Sequence, residues 1–172
     1  MISKHQFNKS SFEQIRDHLW RVDEDFIPAL HTYIDIDLYA AKLKKSAILL
    51  EFYDLKNLVG LMGGYYNPEG KFLFVSNFSI EKKFRGSGMQ LVIELISFLS
   101  PKNTPEITPE IKEIGNELYT YLTDIYKETP IEIQSVHSEV RNENQALIHF
   151  YKSIGFRVTK NKGNSTYLIL DL

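Results

Sequence analysis

A strand pattern that runs through a short basic turn with two glycines straight into a helix constrains this chain more than any other feature. The stretch is Phe74-Val75-Ser76-Asn77-Phe78-Ser79-Ile80-Glu81-Lys82-Lys83-Phe84-Arg85-Gly86-Ser87-Gly88-Met89-Gln90. Glycine tolerates positive φ and close backbone approach, so successive amides of such a turn converge on an anion at the positive end of the helix dipole. Lys83 and Arg85 add charge to it. An ordinary strand-to-helix turn can be spelled the same way, and these residues alone leave both readings open. A dinucleotide fingerprint would want a third glycine or alanine where Leu91 stands, and a P-loop would want Gly-Lys-Ser/Thr; the sequence has neither.

The elements around that turn alternate in period. A short strand is expected at 2–7, then a helix capped by Ser10 or Ser11, with Glu13 or Gln14 completing a capping box, to about Trp20. Asp23, Glu24 and Asp25 read as a solvated hinge. Asp35 opens a second helix with Leu38, Tyr39, Leu43 and Ala47 on one side. Strand patterns at 47–53, 58–66 and 72–80, separated by turn residues, predict an antiparallel meander. The helix from Gly86 carries Met89, Val92, Leu95, Ile96 and Leu99 and ends before Pro101.

Thr108 and Pro109 make an N-cap and first turn for a further helix, 109–128, along which Ile111, Ile114, Leu118, Tyr121, Leu122 and Ile125 recur. An extended run over 131–140 and a helix from about Asn144 to Ile154 follow, the helix stopped by Gly155. Two strands, 156–159 and 166–170, close the chain.

Composition narrows the class. With 172 residues, 43% hydrophobic and 13% aromatic, the chain suits one domain over 1–172: a helical segment 10–46, a core of 47–100 and 131–170, and an inserted helical segment 101–130. A formal net charge of -2 with mixed signs gives no footprint for nucleic acid or an anionic membrane. Cysteine is absent, which excludes disulfides, thiolate metal sites and a cysteine nucleophile. No His/Asp/Glu spacing suggests a metal. Residues 1–14 are polar and no apolar run reaches membrane-spanning length, so a cytoplasmic location is expected.

A second block stands at the right distance after the glycine turn: Ser138-Glu139-Val140, then Asn144, Leu147, Phe150, Tyr151, Gly155 and Phe156. Together the two blocks resemble the GNAT superfamily of CoA-dependent N-acyltransferases over roughly 47–170. Its cofactor motif, Q/R-x-x-G-x-G/A, falls on Lys83, Gly86 and Gly88, with Arg85 before the first glycine. Lysine at the first position, Gln90 where a small residue is frequent, and Leu147 in place of alanine depart from the pattern.

The resemblance implies an α/β (α+β) mixed sheet whose fourth and fifth strands splay apart, with an extra helix inserted before the fifth. Acetyl-CoA, as co-substrate, would enter that cleft. Its pantetheine arm would lie along Phe78, Ser79 and Ile80, and its pyrophosphate on the amides of Arg85, Gly86, Ser87, Gly88, Met89 and Gln90. Asn144 would hold the arm, and the Tyr151 hydroxyl would protonate the leaving thiolate, with a fourth-strand amide steadying the oxyanion. On residue pattern alone Asn144 is equally well read as a helix N-cap, and Tyr151 reads first as a core tyrosine on an apolar stripe.

A base for the amine is sought on the fifth strand, where His137 and Glu139 share a face by alternation; Glu139 is preferred and His137 reads as a hydrogen-bonded strand histidine. The expected acceptor is a small-molecule amine. Residues 26–43 are loosely similar to a branch associated with surface polysaccharides, which points to an amino sugar. A peptide or protein amine, or an inactive CoA-binding module, are the alternatives, and a homodimer is compatible with the reading. The 109–128 helix is expected to pack as an ordinary insertion, with a lid as the other option.

Overall fold

A computed structural model of the chain describes residues 2–100, 108–127 and 130–172. The sequence expectations for 101–107 and for 128 lie outside the described residues. Local signals start most helices. Ser11 caps α1 (Phe12–Arg21) through a full capping box with Gln14, and Asp35 accepts from Leu38 N to cap α2 (Ile36–Ser46). Between them, short 3-10 turns at Asp23–Asp25 and Leu30–Thr32 flank a cis Ile27–Pro28 peptide.

Leu38 is 71% exposed, although its sequence neighbourhood placed it on the inner side. The buried positions Ile36, Ala40, Leu43 and Ala47 are spaced four, three and four apart, and Leu38 lies about 200° around the helix from Ile36.

Strands β1 (Lys4–Phe7), β2 (Ile48–Asp54), β3 (Asn57–Asn67) and β4 (Phe72–Ile80) form the expected antiparallel run. β5 (Ser135–Arg141) joins β4 in parallel, and β6 (Arg157–Lys162) and β7 (Ser165–Asp171) complete a seven-stranded sheet of order β1-β2-β3-β4-β5-β7-β6 among the described residues. β5 begins later than the sequence suggested, because Ile131 and Ile133 are buried ahead of it without joining the ladder.

Helices α3 (Arg85–Leu99), α4 (Pro109–Tyr126) and α5 (Gln145–Ser153) pack on one face of the sheet, α1 and α2 on the other. α4 is a core element rather than a lid: Ile111, Ile114 and Leu122 are fully buried against the cluster that holds Leu95, Leu99 and Phe7. Ile125, expected on that face, is half exposed; the last turn is fastened instead by Tyr126, whose ring meets Tyr66 edge-on at 5.1 Å and whose hydroxyl donates to the Tyr66 carbonyl.

The sheet opens at one point. β4 and β5 pair only from Phe72↔Ser135 to Val75↔Ser138, after which both strands continue unpaired with each other. On the other side of β4 the register shifts between Gly63 and Gly64, so Ser76 is an extra residue opposite β3. Such a bulge bends and twists its strand, here away from β5. Gly64 is required beside it, since a Cβ there would meet the Phe74 carbonyl oxygen at 2.9 Å.

The diverging half of β4 is held from below by α1. His18, fully buried, bonds Ser79 Oγ through Nε2 at 3.0 Å, and that hydroxyl also donates to Asn77 Oδ1. Burial, with a smaller contribution from Arg21, holds the His18 pKa down to about 4 against 6.5 for a free ring. Between those values the unfolded chain takes up a proton that the folded one refuses. Stability from this group is therefore complete above about pH 6.5 and is lost as pH falls toward 4, by about 3 kcal/mol in all. Urea unfolding followed across pH 4–7 is expected to show this slope and its reduction in His18→Gln; identical slopes in both proteins would assign the acid sensitivity elsewhere.

Candidate functional site

The parting of β4 from β5 creates a cleft of about 270 Å³ between the end of β4, the start of α3 and the start of α5. Its walls are largely apolar, with Phe78, Ile80, Met89, Leu147 and Phe150, and Arg85 and Asn144 are among its polar members. A smaller space of about 80 Å³ adjoins it at the fork, lined by residues that include Ser76, Asn77, Ser138, Glu139, Asn144 and Tyr151. Residues far apart in sequence thus converge because two strands that run together for four residue pairs then diverge.

The turn before α3 differs from the expected glycine loop. Lys82–Phe84 form a 3-10 turn, and Arg85, Gly86, Ser87 and Gly88 already belong to the helix, neither glycine having positive φ. The glycines serve space instead. A Cβ on Gly88 would meet Ile80 Cδ1 at 2.4 Å, so glycine lets α3 sit against β4. A Cβ on Gly86 would meet nothing within 4 Å, which leaves open room before the helix end. Phe84, at the N-cap, makes no side-chain capping bond, and the first-turn amides of a helix lack intrahelical partners. This end of α3 is suited to an anion.

Arg85 is the cation at that place. Its Nε donates to the Ile80 carbonyl at 3.2 Å, and it lines the cleft. Lys83 lies outside, its ammonium over the Phe84 ring at 4.7 Å. Gln90 faces out and bonds Glu94, and the Ser87 hydroxyl donates to the Phe84 carbonyl. Ser79 lines the cleft although its hydroxyl is committed to His18 and Asn77, so it offers the cleft its backbone.

The acidic hinge is the largest departure from the sequence reading. Asp23 is buried and accepts from His31 N at 2.8 Å and pairs with His31 Nδ1 at 2.6 Å. Asp25 reaches the cleft and pairs with Arg85 at 2.9 Å and Lys82 at 3.2 Å. The loop between them and Pro28 then supplies Phe26 and Ile27 to the walls of both spaces. Three consecutive acids look like a solvated segment by composition; only the fold shows that two of them are tertiary anchors.

At the fork Tyr151 is 4% exposed, its ring edge-on to Phe156 at 4.9 Å. Burial raises its pKa above the usual 10, against a smaller opposite effect from the Ser138 hydroxyl. The group keeps its proton at neutral pH. Glu139 also reaches the fork, with Oε1 accepting from Ser165 Oγ. His137 does not: it stacks on Phe72 at 4.0 Å beside the paired part of the strands, and its ring nitrogens bond Ser135 and Tyr167. Asn144 is both N-cap and wall, Oδ1 accepting from Leu147 N at 3.1 Å while the residue lines both spaces.

Arg141 and Tyr33 complete the fork and were not singled out by the sequence. The Arg141 guanidinium lies over the Tyr33 ring at 4.9 Å. Alternation along β5 puts Arg141 on the same side as Glu139, but no sequence signal marks Tyr33 as its partner. Among the described residues, no group of three His, Cys, Asp or Glu side chains is placed to hold a metal, and no helix is long and apolar enough to cross a membrane.

No known family pattern matches the sequence, and no curated protein matches it at a significant level. Solved structures do match, across nearly the whole chain. An acetyltransferase from Bacillus subtilis in complex with CoA is 12% identical, covers 98% of each chain and superposes with a TM-score of 0.57. The PaiA N-acetyltransferase of Thermoplasma acidophilum, in complex with coenzyme A, is 13% identical over 98% of this chain and 99% of its own, at 0.53. A GNAT-family acetyltransferase from Staphylococcus aureus Mu50 is 11% identical over 98% and 99%, at 0.58. At such identities the likeness speaks for architecture, and with its mixed sheet and diverging fourth and fifth strands the chain has the GNAT acetyltransferase fold.

Proposed function

We propose that the protein is an N-acetyltransferase that takes acetyl-CoA as donor and a small-molecule primary amine as acceptor, in direct transfer. The observation that carries this reading is the fork itself: an apolar cleft with an uncapped helix end and Arg85 at one extremity and a buried, protonated tyrosine at the other. The fit to a long ligand with an anionic end follows. Arg85 and the first-turn amides of α3 would hold the pyrophosphate, and the edge of β4 left free after Val75 would pair with the amide-bearing arm as with an added strand. Phe78, Leu147 and Phe150 would exclude water around it.

Bound acetyl-CoA supplies an activated acetyl thioester, from which the acyl carbon forms a bond to nitrogen as its bond to sulfur breaks. Tyr151 holds the proton that the leaving thiolate requires. A phenol, with a pKa of ~10 in water, is protonated at neutral pH and burial keeps it so, which leaves Tyr151 with a proton to give as charge develops on sulfur. Glu139, with its second oxygen free of the bond to Ser165, accepts a proton from the amine directly or through water. An amino sugar and a peptide amine both meet these chemical demands.

Tyr151→Phe is expected to lower kcat about 100-fold, with acetyl-CoA affinity nearly unchanged, in steady-state assays and calorimetric titration. Unchanged turnover would remove Tyr151 from the mechanism. Asp25 pairs with Arg85, the cation that the phosphates would use, and with Lys82 beside it. Asp25→Asn is expected to tighten acetyl-CoA binding by a factor of about 2 to 5, the scale of a partly exposed ion pair. Weaker binding in that variant would show that Asp25 orients Arg85 for the cofactor instead of competing with it.

A further inference from the structure

Two buried donors at the fork have no acceptor. Asn77 is 3% exposed; its Oδ1 accepts from Ser79, and its Nδ2, although close enough to the Tyr39 hydroxyl to influence that phenol, makes no well-formed hydrogen bond to it or to another described residue. Arg141 Nε is likewise buried and unpartnered. Both residues line the small space beside Tyr151, the half of the cleft opposite the anion-binding end. A buried N–H without an acceptor costs folding free energy, and two on one space are accounted for when a ligand brings oxygens to them.

The charges are arranged to match. Arg141 stacks on Tyr33 at 4.9 Å, and its terminal nitrogens face the Asn164 carboxamide oxygen at 2.8 and 3.1 Å once that side chain is oriented for bonding. Glu143 is its nearest acid, at 3.8 Å and half exposed, a loose pair. The guanidinium is thus fixed in place by neutral neighbours and keeps most of its charge for an anion. Glu139 stands two residues earlier on the same side of β5, about 6–7 Å along the strand. It accepts from the Ser165 hydroxyl and forms no ion pair among the described residues. A carboxylate and a guanidinium at that separation read the two ends of a short zwitterion.

We infer that the acceptor is an amine that also bears a carboxylate a short distance away, its amino group at Glu139 and its carboxylate at Arg141 and Asn77. The inference rests on the transferase reading and narrows it to amino acids and related amino-carboxylates, against amino sugars that carry no carboxylate. Arg141 and Asn77 then act as specificity determinants, while the proton chemistry stays with Tyr151 and Glu139.

The test is steady-state kinetics of the full chain with acetyl-CoA and matched acceptors: glycine against glycinamide, β-alanine against its amide, and glucosamine as a hydroxylated amine without a carboxylate. The expected result is a KM at least about tenfold lower for each acid than for its amide, the scale of one hydrogen bond to a charged group. The amides hold more free amine at neutral pH, which works against the expected order and makes it a stringent one. Arg141→Gln and Arg141→Lys are expected to bring that KM ratio toward one, with the thermal shift on adding acetyl-CoA retained as proof of a folded, cofactor-binding protein. Equal KM values for acid and amide, or a preference for glucosamine, would overturn the inference while leaving the transferase reading in place. Acetyl-CoA binding without turnover of any of these amines would overturn both.

Discussion

Everything at this site depends on the separation of two strands just after Val75 and Ser138. The cause is local: one extra residue, Ser76, is accommodated against β3 where Gly64 admits the Phe74 carbonyl. Side chains then satisfy the backbone that the bulge disturbs. The Tyr39 hydroxyl donates to the Ser76 carbonyl at 3.1 Å, Ser76 Oγ to the Gly63 carbonyl at 3.3 Å and Ser138 Oγ to the Val75 carbonyl at 3.2 Å. Past that point β4 presents a free edge inside the molecule, a place where a ligand with amides can be received as a strand.

The loop between α1 and α2 converts this opening into an enclosed site. Asp23 ties the loop to His31, and Asp25 ties it to the start of α3, so that Phe26 and Ile27 stand over the fork. The same loop therefore touches the end of the cleft with Arg85 and the end with Tyr151. An anion that takes Arg85 away from Asp25 would release one of the two tethers, which links occupancy of one half of the cleft to the shape of the other.

Local chemistry made much of this readable before any coordinates. Ser11, Asp35, Thr108 and Asn144 all cap the helices they were expected to cap, because capping depends on residues three positions away and on little else. The meander and the stop at Gly155, which has φ of +102°, are equally short-range. What failed needed tertiary information. Leu38 and Ile125 are apolar residues on the wrong phase or past the end of a packed face. Asp23 and Asp25 find partners eight and sixty residues away, and Tyr33 is significant only because the fold lays Arg141 across it. Gly86 and Gly88 were expected to use positive φ and do not, whereas the close approach also expected is seen at Gly88, which lets α3 sit against Ile80.

The proposed function requires the fork between β4 and β5 to bind coenzyme A with its anionic end at α3. Backbone amide shifts of labelled protein, recorded as CoA is added, measure this directly. Binding at the fork is expected to give saturable changes concentrated at residues 76–80, at 85–90 and at the start of α5 near Asn144, with the β6–β7 hairpin little affected. Saturable binding with changes clustered elsewhere, or no change at millimolar CoA, would contradict it.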